Sequence, residues 1–218
     1  DVLVAKAGDE IVLSTETGMA IRFRESDARP MGRNTSGVKG ISLAADDKVV
    51  GMVVADPEAT LLTACEKGYG KRTMFGANSK TGEEADEGEG DSSSGSSRYR
   101  TQKRGGKGLR DIKTTERNGR VIGVKSVNDD DELLLMTSRG KIQRIKCADV
   151  STIGRNTQGV RIMGLDEEDS LAVIAVVPRD ELGDEPESGA PESASPLPAS
   201  EADSPSTAPE SDSQESES

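Results

Sequence analysis

The sequence predicts an all-β protein made of about three copies of one small antiparallel sheet, arranged like the blades of a propeller. Three observations carry that prediction. The chain repeats itself in matching frames, each copy alternates apolar and polar residues behind a glycine turn, and no segment sustains a 3.6-residue apolar period between helix caps.

The repeat comes first. Residues 18–27, Gly-Met-Ala-Ile-Arg-Phe-Arg-Glu-Ser-Asp, recur 122 positions later at 140–149 as Gly-Lys-Ile-Gln-Arg-Ile-Lys-Cys-Ala-Asp. In that frame Gly32-Arg33-Asn34-Thr35 returns as Gly154-Arg155-Asn156-Thr157, and Gly37-Val38-Lys39 returns as Gly159-Val160-Arg161. A third copy lies between them. Gly68-Tyr69-Gly70-Lys71-Arg72-Thr73 follows Gly18 at an offset of 50, and Gly105-Gly106-Lys107-Gly108-Leu109 follows Gly37-Val38-Lys39-Gly40-Ile41 at an offset of 68. The offset grows because 76–97 is an insert of Gly, Ser, Glu and Asp that reads as a flexible loop.

Each unit has the same element order. A first apolar strand is expected at 11–14, 60–65 and 132–137. A tight turn then ends at Gly18, Gly68 or Gly140, where a hairpin needs positive φ. The second strand alternates: Met19–Arg24 and Lys141–Lys146 put apolar side chains on one face and basic ones on the other. A polar, glycine-rich loop leads to a β-branched closing strand at 48–54, 120–127 or 171–177. Residues 2–7 resemble the closing strand of a preceding unit, so the array is expected to be truncated at its N-terminus and the chain reads as a fragment. The expected units are 1–56, 57–128 and 129–180. Residues 181–218 are Ser, Pro, Glu, Ala and Asp almost throughout and are expected to be a disordered acidic tail.

Composition narrows the function. With 32% hydrophobic residues, no Trp, two Phe and two Tyr, the chain has material for a small core only. It has no histidine, which removes Ser–His–Asp and Cys–His catalysis and histidine metal ligation. Cys65 and Cys147 form no CxxC pair and lie in apolar runs, as buried reduced thiols suited to a reducing cytosol would. Asp129-Asp130-Asp131-Glu132 lacks the alternation and glycine of a calcium loop and reads as a solvated acidic turn. No catalytic residue, metal ligand or cofactor site is expected, and no run is long and apolar enough for a membrane span.

The net charge of −12 hides a segregation. Residues 98–128 carry 10 basic against 2 acidic side chains, whereas 181–218 carry 11 acidic and no basic ones. A basic block inside an acidic chain points to a polyanion partner. The sharpest feature is the loop Gln102-Lys103-Arg104-Gly105-Gly106-Lys107-Gly108. Its glycines would expose backbone N–H groups and its cations would neutralise phosphates, with no base-edge reader required. The same frame supplies Arg33 and Lys39 in the first unit and Arg155 and Arg161 in the third, and Arg110 and Lys113 extend the block. A second expected basic surface is the alternating strands, with Arg22 and Arg24, Lys71 and Arg72, and Arg144 and Lys146.

Several phrases resemble the C-terminal domain of the bacterial DNA gyrase A protein. They are Ile21-Arg22-Phe23-Arg24-Glu25-Ser26, Met31-Gly32-Arg33-Asn34-Thr35, Gly68-Tyr69-Gly70-Lys71-Arg72-Thr73, Lys113-Thr114-Thr115-Glu116-Arg117-Asn118-Gly119 and Gly154-Arg155-Asn156-Thr157-Gln158-Gly159-Val160. The resemblance covers residues 1–178, and the loop at 102–108 is similar to the family's gyrase box, which belongs to the family's first blade. The resemblance implies a β-pinwheel whose blades exchange strands, of which three are present. It also implies a non-catalytic module that wraps double-stranded DNA around a basic rim. The rest of the gyrase A protein carries the cleaving tyrosine, and the gyrase B protein completes an A2B2 holoenzyme that uses ATP and Mg2+ to introduce negative supercoils in the bacterial cytoplasm. The acidic tail is expected to occupy the rim and tune the wrap. Two other readings stand beside it: the equivalent domain of the topoisomerase IV A protein, and a propeller-like module that binds protein partners through the tail.

Overall fold

The computed structural model describes residues 2–78 and 98–179. The insert from 79 to 97 and the tail from 180 onward lie outside the described residues, and so do the expectations of flexibility and disorder made for them.

Eleven strands form three antiparallel sheets among the described residues. The first sheet contains β1 (Glu10–Thr15), β2 (Met19–Arg24) and β3 (Val49–Val54). The second contains β4 (Thr60–Cys65), β5 (Tyr69–Met74) and β7 (Val121–Val127), and the third β8 (Glu132–Thr137), β9 (Ile142–Lys146) and β11 (Leu171–Val177). In each sheet the first strand lies between the second and the closing strand. The three hairpins turn alike: Gly18, Gly68 and Gly140 take φ of 85°, 75° and 86°, and each donates its N–H to the carbonyl three residues back. These elements match the sequence expectation within a residue or two. Residues 2–7 do not, because they form no strand. Each first strand already has a closing strand, so none is left for that run to pair with.

Two further short strands complete the first two sheets from outside. β6 (Leu109–Arg110), contributed by the second unit, pairs with β2 through Met19↔Arg110 and Ala20↔Leu109. β10 (Val160–Arg161), contributed by the third unit, pairs with β5 through Tyr69↔Arg161 and Gly70↔Val160. The second and third units thus each lend a strand to the unit before them. Among the described residues β9 receives none, and its face exposes Ile142 at 62%.

The sheets stack, and the apolar side chains fill the gaps between them. One cluster, including Val12, Ala20, Val53, Leu61, Phe75, Tyr99, Ile112 and Val124, joins the first and second units. Another, including Leu62, Ala64, Val127, Leu133, Leu135, Met163 and Ile174, joins the second and third. Cys65 and Cys147 are free thiols inside these clusters, and burial pushes both up to about 12. No helix among the described residues is long and apolar enough to cross a membrane.

Stacking and strand lending change what the second strands can display. β9, uncovered at its edge among the described residues, alternates exposed and half-buried positions, but Ile142 shares the exposed face with Arg144 and Lys146, so the apolar and basic faces expected there do not separate; β2 and β5 are buried on both faces. Arg22 is 1% exposed and pairs with Glu10 at 2.5 Å. Lys71 is 0% exposed and pairs with Asp111 at 2.6 Å. Arg72 donates through Nε to the Val150 carbonyl at 2.8 Å and through Nη1 to Asp129. A charge can be buried this way only when it is paired.

The acidic turns are also structural. Asp129 pairs with Arg72, Asp130 with Arg179 and Glu132 with Arg144, while buried Asp131 accepts the Asn128 N–H at 2.7 Å. Asp129 and Asp130 are exposed, as expected of a solvated turn, while Asp131 is buried and ties the turn to the fold. Asp47 and Asp169 hold the hairpins of the first and third units in the same way. Asp47 accepts the Thr17 N–H and hydroxyl at 3.0 and 2.7 Å, and Asp169 accepts the Ser138 hydroxyl and Arg139 N–H at 2.9 and 3.2 Å. Partial burial pushes the Asp47 carboxyl up, but the bonds from Thr17 and Thr15 outweigh it and hold it below its ordinary value. The bond with Thr137, then those from Ser138 and the Ser170 and Arg139 N–H groups, bring Asp169 down to about 2. A folded-state pKa below the unfolded value gives stability that is full above the ordinary 3.8 and is lost as pH falls toward 2. Urea unfolding between pH 5 and 2 should therefore show a smaller loss of stability in Asp169→Asn than in the parent. Equal losses would mean that this carboxylate does not carry the effect.

Candidate nucleic-acid interface

The lent strands begin in one motif. Gly37, Gly108 and Gly159 take φ of 72°, 79° and 75°, and each precedes an apolar and a basic residue: Val38-Lys39, Leu109-Arg110 and Val160-Arg161. Close approach adds to the positive φ at Gly108 and Gly159, whereas at Gly37 the positive φ alone favours glycine. A Cβ at Gly108 would stand 2.6 Å from the Ala20 carbonyl oxygen, and one at Gly159 would stand 2.7 Å from that of Gly70. Pairing of Leu109 with Ala20 and of Val160 with Gly70 makes Gly108 the counterpart of Gly37. This corrects the sequence frame, which set Gly105 opposite Gly37 and was three residues short. Four residues containing three glycines offered two registers, and the backbone pairing decides between them.

The glycine-rich loop is docked on the first unit. Gly105 donates its N–H to the Gly40 carbonyl at 2.8 Å, and Ser42 donates to the carbonyls of Gly105 and Gly106 at 2.7 and 2.8 Å. Arg104 donates to the carbonyls of Asp27 and Lys39 at 2.8 and 2.5 Å, and the Gln102 N–H goes to the Arg22 carbonyl at 2.7 Å. The Gly106 N–H turns back to the Lys103 carbonyl at 3.4 Å. The N–H groups of Gly105 and Gly106, expected to be bare, are thus used inside the fold. Charge is what the loop presents: Lys103 and Lys107 are exposed, as are Arg33, Lys39, Arg110, Lys113 and Arg161 on neighbouring segments. Arg155 is half-buried. Lys71 and Arg72, expected at the surface, are taken out of it by their buried partners.

The loops of the second and third units are fastened together beside these cations. Buried Asn118 accepts the Thr115 N–H through Oδ1 at 2.7 Å and donates through Nδ2 to the carbonyls of Lys113 and Gln158 at 3.0 and 3.1 Å. The Lys113 N–H reaches the Thr157 carbonyl at 2.7 Å. This fastening also brings exposed Arg117 to Tyr69, a contact that sequence reading missed because the two lie 48 residues apart. The arrangement gathers exposed Lys and Arg side chains on the segments that carry the lent strands, which suits a repeating polyanion.

Comparison with known proteins agrees with this geometry. The family described as DNA gyrase C-terminal domain, beta-propeller matches residues 9–56, 96–128 and 131–178, one match for each unit. The chain is 42% identical over 191 residues to the DNA gyrase A protein of Haloquadratum walsbyi, covering 87% of this chain and 20% of that protein. It is 37% identical over 163 residues to the DNA gyrase A protein of Escherichia coli (strain K12), covering 75% of this chain and 16% of that one. The chain thus spans about a fifth of the length of the curated relatives it matches. Among solved structures, a DNA gyrase A C-terminal domain superposes with a TM-score of 0.62 at 27% identity, over 79% of this chain and 52% of that one. A topoisomerase IV C-terminal domain shares the fold with a TM-score of 0.68 at 21% identity, over 83% and 50%.

Proposed function

Because the chain belongs to the DNA gyrase C-terminal domain, beta-propeller family, we propose that it binds duplex DNA along the segments carrying its lent strands and bends it there. In this reading it serves a type II topoisomerase whose remaining parts cleave DNA and hydrolyse ATP with Mg2+, in the cytoplasm. Those parts are the rest of the gyrase A protein together with the gyrase B protein, in an A2B2 holoenzyme. The observation that supports it is the recurrence of exposed cations beside one Gly-apolar-basic motif in all three units. Smooth bending of a 20–30 bp site costs on the order of 1–6 kcal/mol, and a series of phosphate contacts offsets it. Lys39, Lys103, Lys107, Arg110, Lys113 and Arg161 supply such contacts without base readout, so binding is expected to be indifferent to sequence.

The test is a salt titration. If about six phosphates are neutralised, log affinity falls with log salt at a slope of about −5, and affinity drops roughly 1000-fold between 50 and 200 mM. The measurement is fluorescence anisotropy of a labelled duplex of mixed sequence with the 218-residue chain. A loss of less than about tenfold over that range would sink the proposal.

A further inference from the structure

Two guanidinium groups converge on one phenol where the second and third units meet. Tyr69 opens β5, and its ring is buried in the core between the first and second sheets. The Cζ of Arg117 lies 5.1 Å from the ring centroid and that of Arg161 lies 5.8 Å from it. Arg117 donates through Nε to the Tyr69 hydroxyl oxygen at 3.2 Å, and Arg161 donates through Nη2 to the same oxygen at 3.4 Å. Both arginines are exposed, and neither has a carboxylate partner among the described residues.

This arrangement is costly unless a third charge joins it. Like charges repel, and fixing two long side chains loses rotamer freedom. The phenol holds them in two ways: its ring face attracts the cations, and its oxygen accepts from both. With its lone pairs so engaged, the hydroxyl keeps its own proton to donate. The bonds from Arg117 and then Arg161 also lower the Tyr69 pKa, which strengthens it as a donor. The arginines come from different segments, Arg117 from the loop before β7 and Arg161 from lent strand β10, so the site exists only once the third unit has lent its strand. The first unit has Met19 in the place of Tyr69, opposite Arg110, so the tyrosine is particular to this junction.

We propose that Arg117 and Arg161, positioned by Tyr69, form a preassembled clasp for a single phosphodiester group of duplex DNA. The proposal rests on the DNA-binding reading above and deepens it. Two guanidiniums present planar donor forks to the non-bridging oxygens, a geometry that lysine cannot supply.

The experiment measures duplex affinity against salt for the 218-residue chain and three variants, Arg117→Ala/Arg161→Ala, Tyr69→Phe and Arg117→Lys. One shared phosphate predicts that the double variant lowers the salt slope by about 0.9, not by about 1.8. Tyr69→Phe keeps the ring and both charges, so the slope should hold while affinity falls about threefold. Arg117→Lys should likewise keep the slope and lose affinity. A double variant with the parent's slope and affinity would overturn the clasp. A slope loss of about 1.8 would replace it with two separate contacts, and a Tyr69→Phe variant that binds like the parent would remove the positioning role. A parent chain whose affinity ignores salt would instead overturn the DNA-binding reading itself.

Discussion

Replacing Asp111 with alanine should cost about 3–5 kcal/mol and loosen the junction of the first two units. Asp111 is 1% exposed, and its carboxylate accepts from three groups: Lys71 Nζ at 2.6 Å, the Tyr99 hydroxyl at 2.5 Å and the Thr63 hydroxyl at 2.7 Å. Its backbone N–H meets the Gly18 carbonyl at 2.9 Å, at the turn of the first hairpin. Alanine there leaves the Lys71 ammonium buried without a counter-charge, and that stranded charge is the larger part of the cost. Removing both charges with Lys71→Met and Asp111→Leu should recover only the part of the loss due to the stranded ammonium, because the Tyr99 and Thr63 hydroxyls still lose their acceptor. Guanidinium unfolding followed by circular dichroism measures each variant. A cost below about 1 kcal/mol for Asp111→Ala would show that the network is not what holds the junction.

The second large effect comes from one ion pair present twice in different surroundings. Glu10 with Arg22 in the first unit and Glu132 with Arg144 in the third occupy the same positions 122 residues apart. The first pair is covered by the following unit: Arg22 also donates to the carbonyls of Phe75 and Tyr99 at 2.7 and 3.1 Å, and Thr101 donates to Glu10 at 2.7 Å. Burial lowers the Arg22 pKa, and Glu10 opposes that shift. The second pair has no such cover, with Arg144 at 51% side-chain exposure. Glu10→Ala should therefore cost about 3–5 kcal/mol. Glu132→Ala should cost no more than about 1 kcal/mol, the ordinary worth of an exposed pair. Similar costs for the two would mean that cover by the next unit does not set the energetics.

These cases also mark what sequence could reveal. Strand positions were legible because alternation and glycine turns are local: Thr60–Cys65 and Glu132–Thr137 form as expected, and Gly18, Gly68 and Gly140 take positive φ. Family resemblance supplied strand exchange in general terms. Which basic residues face solvent was not legible. Lys71 and Arg144 look alike in an alternating strand, and only the lent strand and the following loop bury one and leave the other out. The clasp at Tyr69 was hidden for the same reason, since Arg161 reaches it from 92 residues away. Exposed Lys103 and Lys107 were found because charge in a glycine-rich loop is a local signal, whereas the use of the glycine N–H groups was not.

Lending strands backwards along the chain also sets a timetable for synthesis. A ribosome delivers β2, ending at Arg24, long before the β6 strand that covers it, ending at Arg110. At translation speeds of about 5–20 residues per second, the wait is roughly 4–17 s, far longer than a hairpin needs to form. Throughout that interval the edge of β2 stands open as a template for any extended segment nearby, and Arg22 has yet to receive the carbonyls of Phe75 and Tyr99. The nascent first unit is therefore the stage at which mispairing between neighbouring chains on one message is most exposed, and the arrival of Gly108-Leu109-Arg110 is the event that ends it.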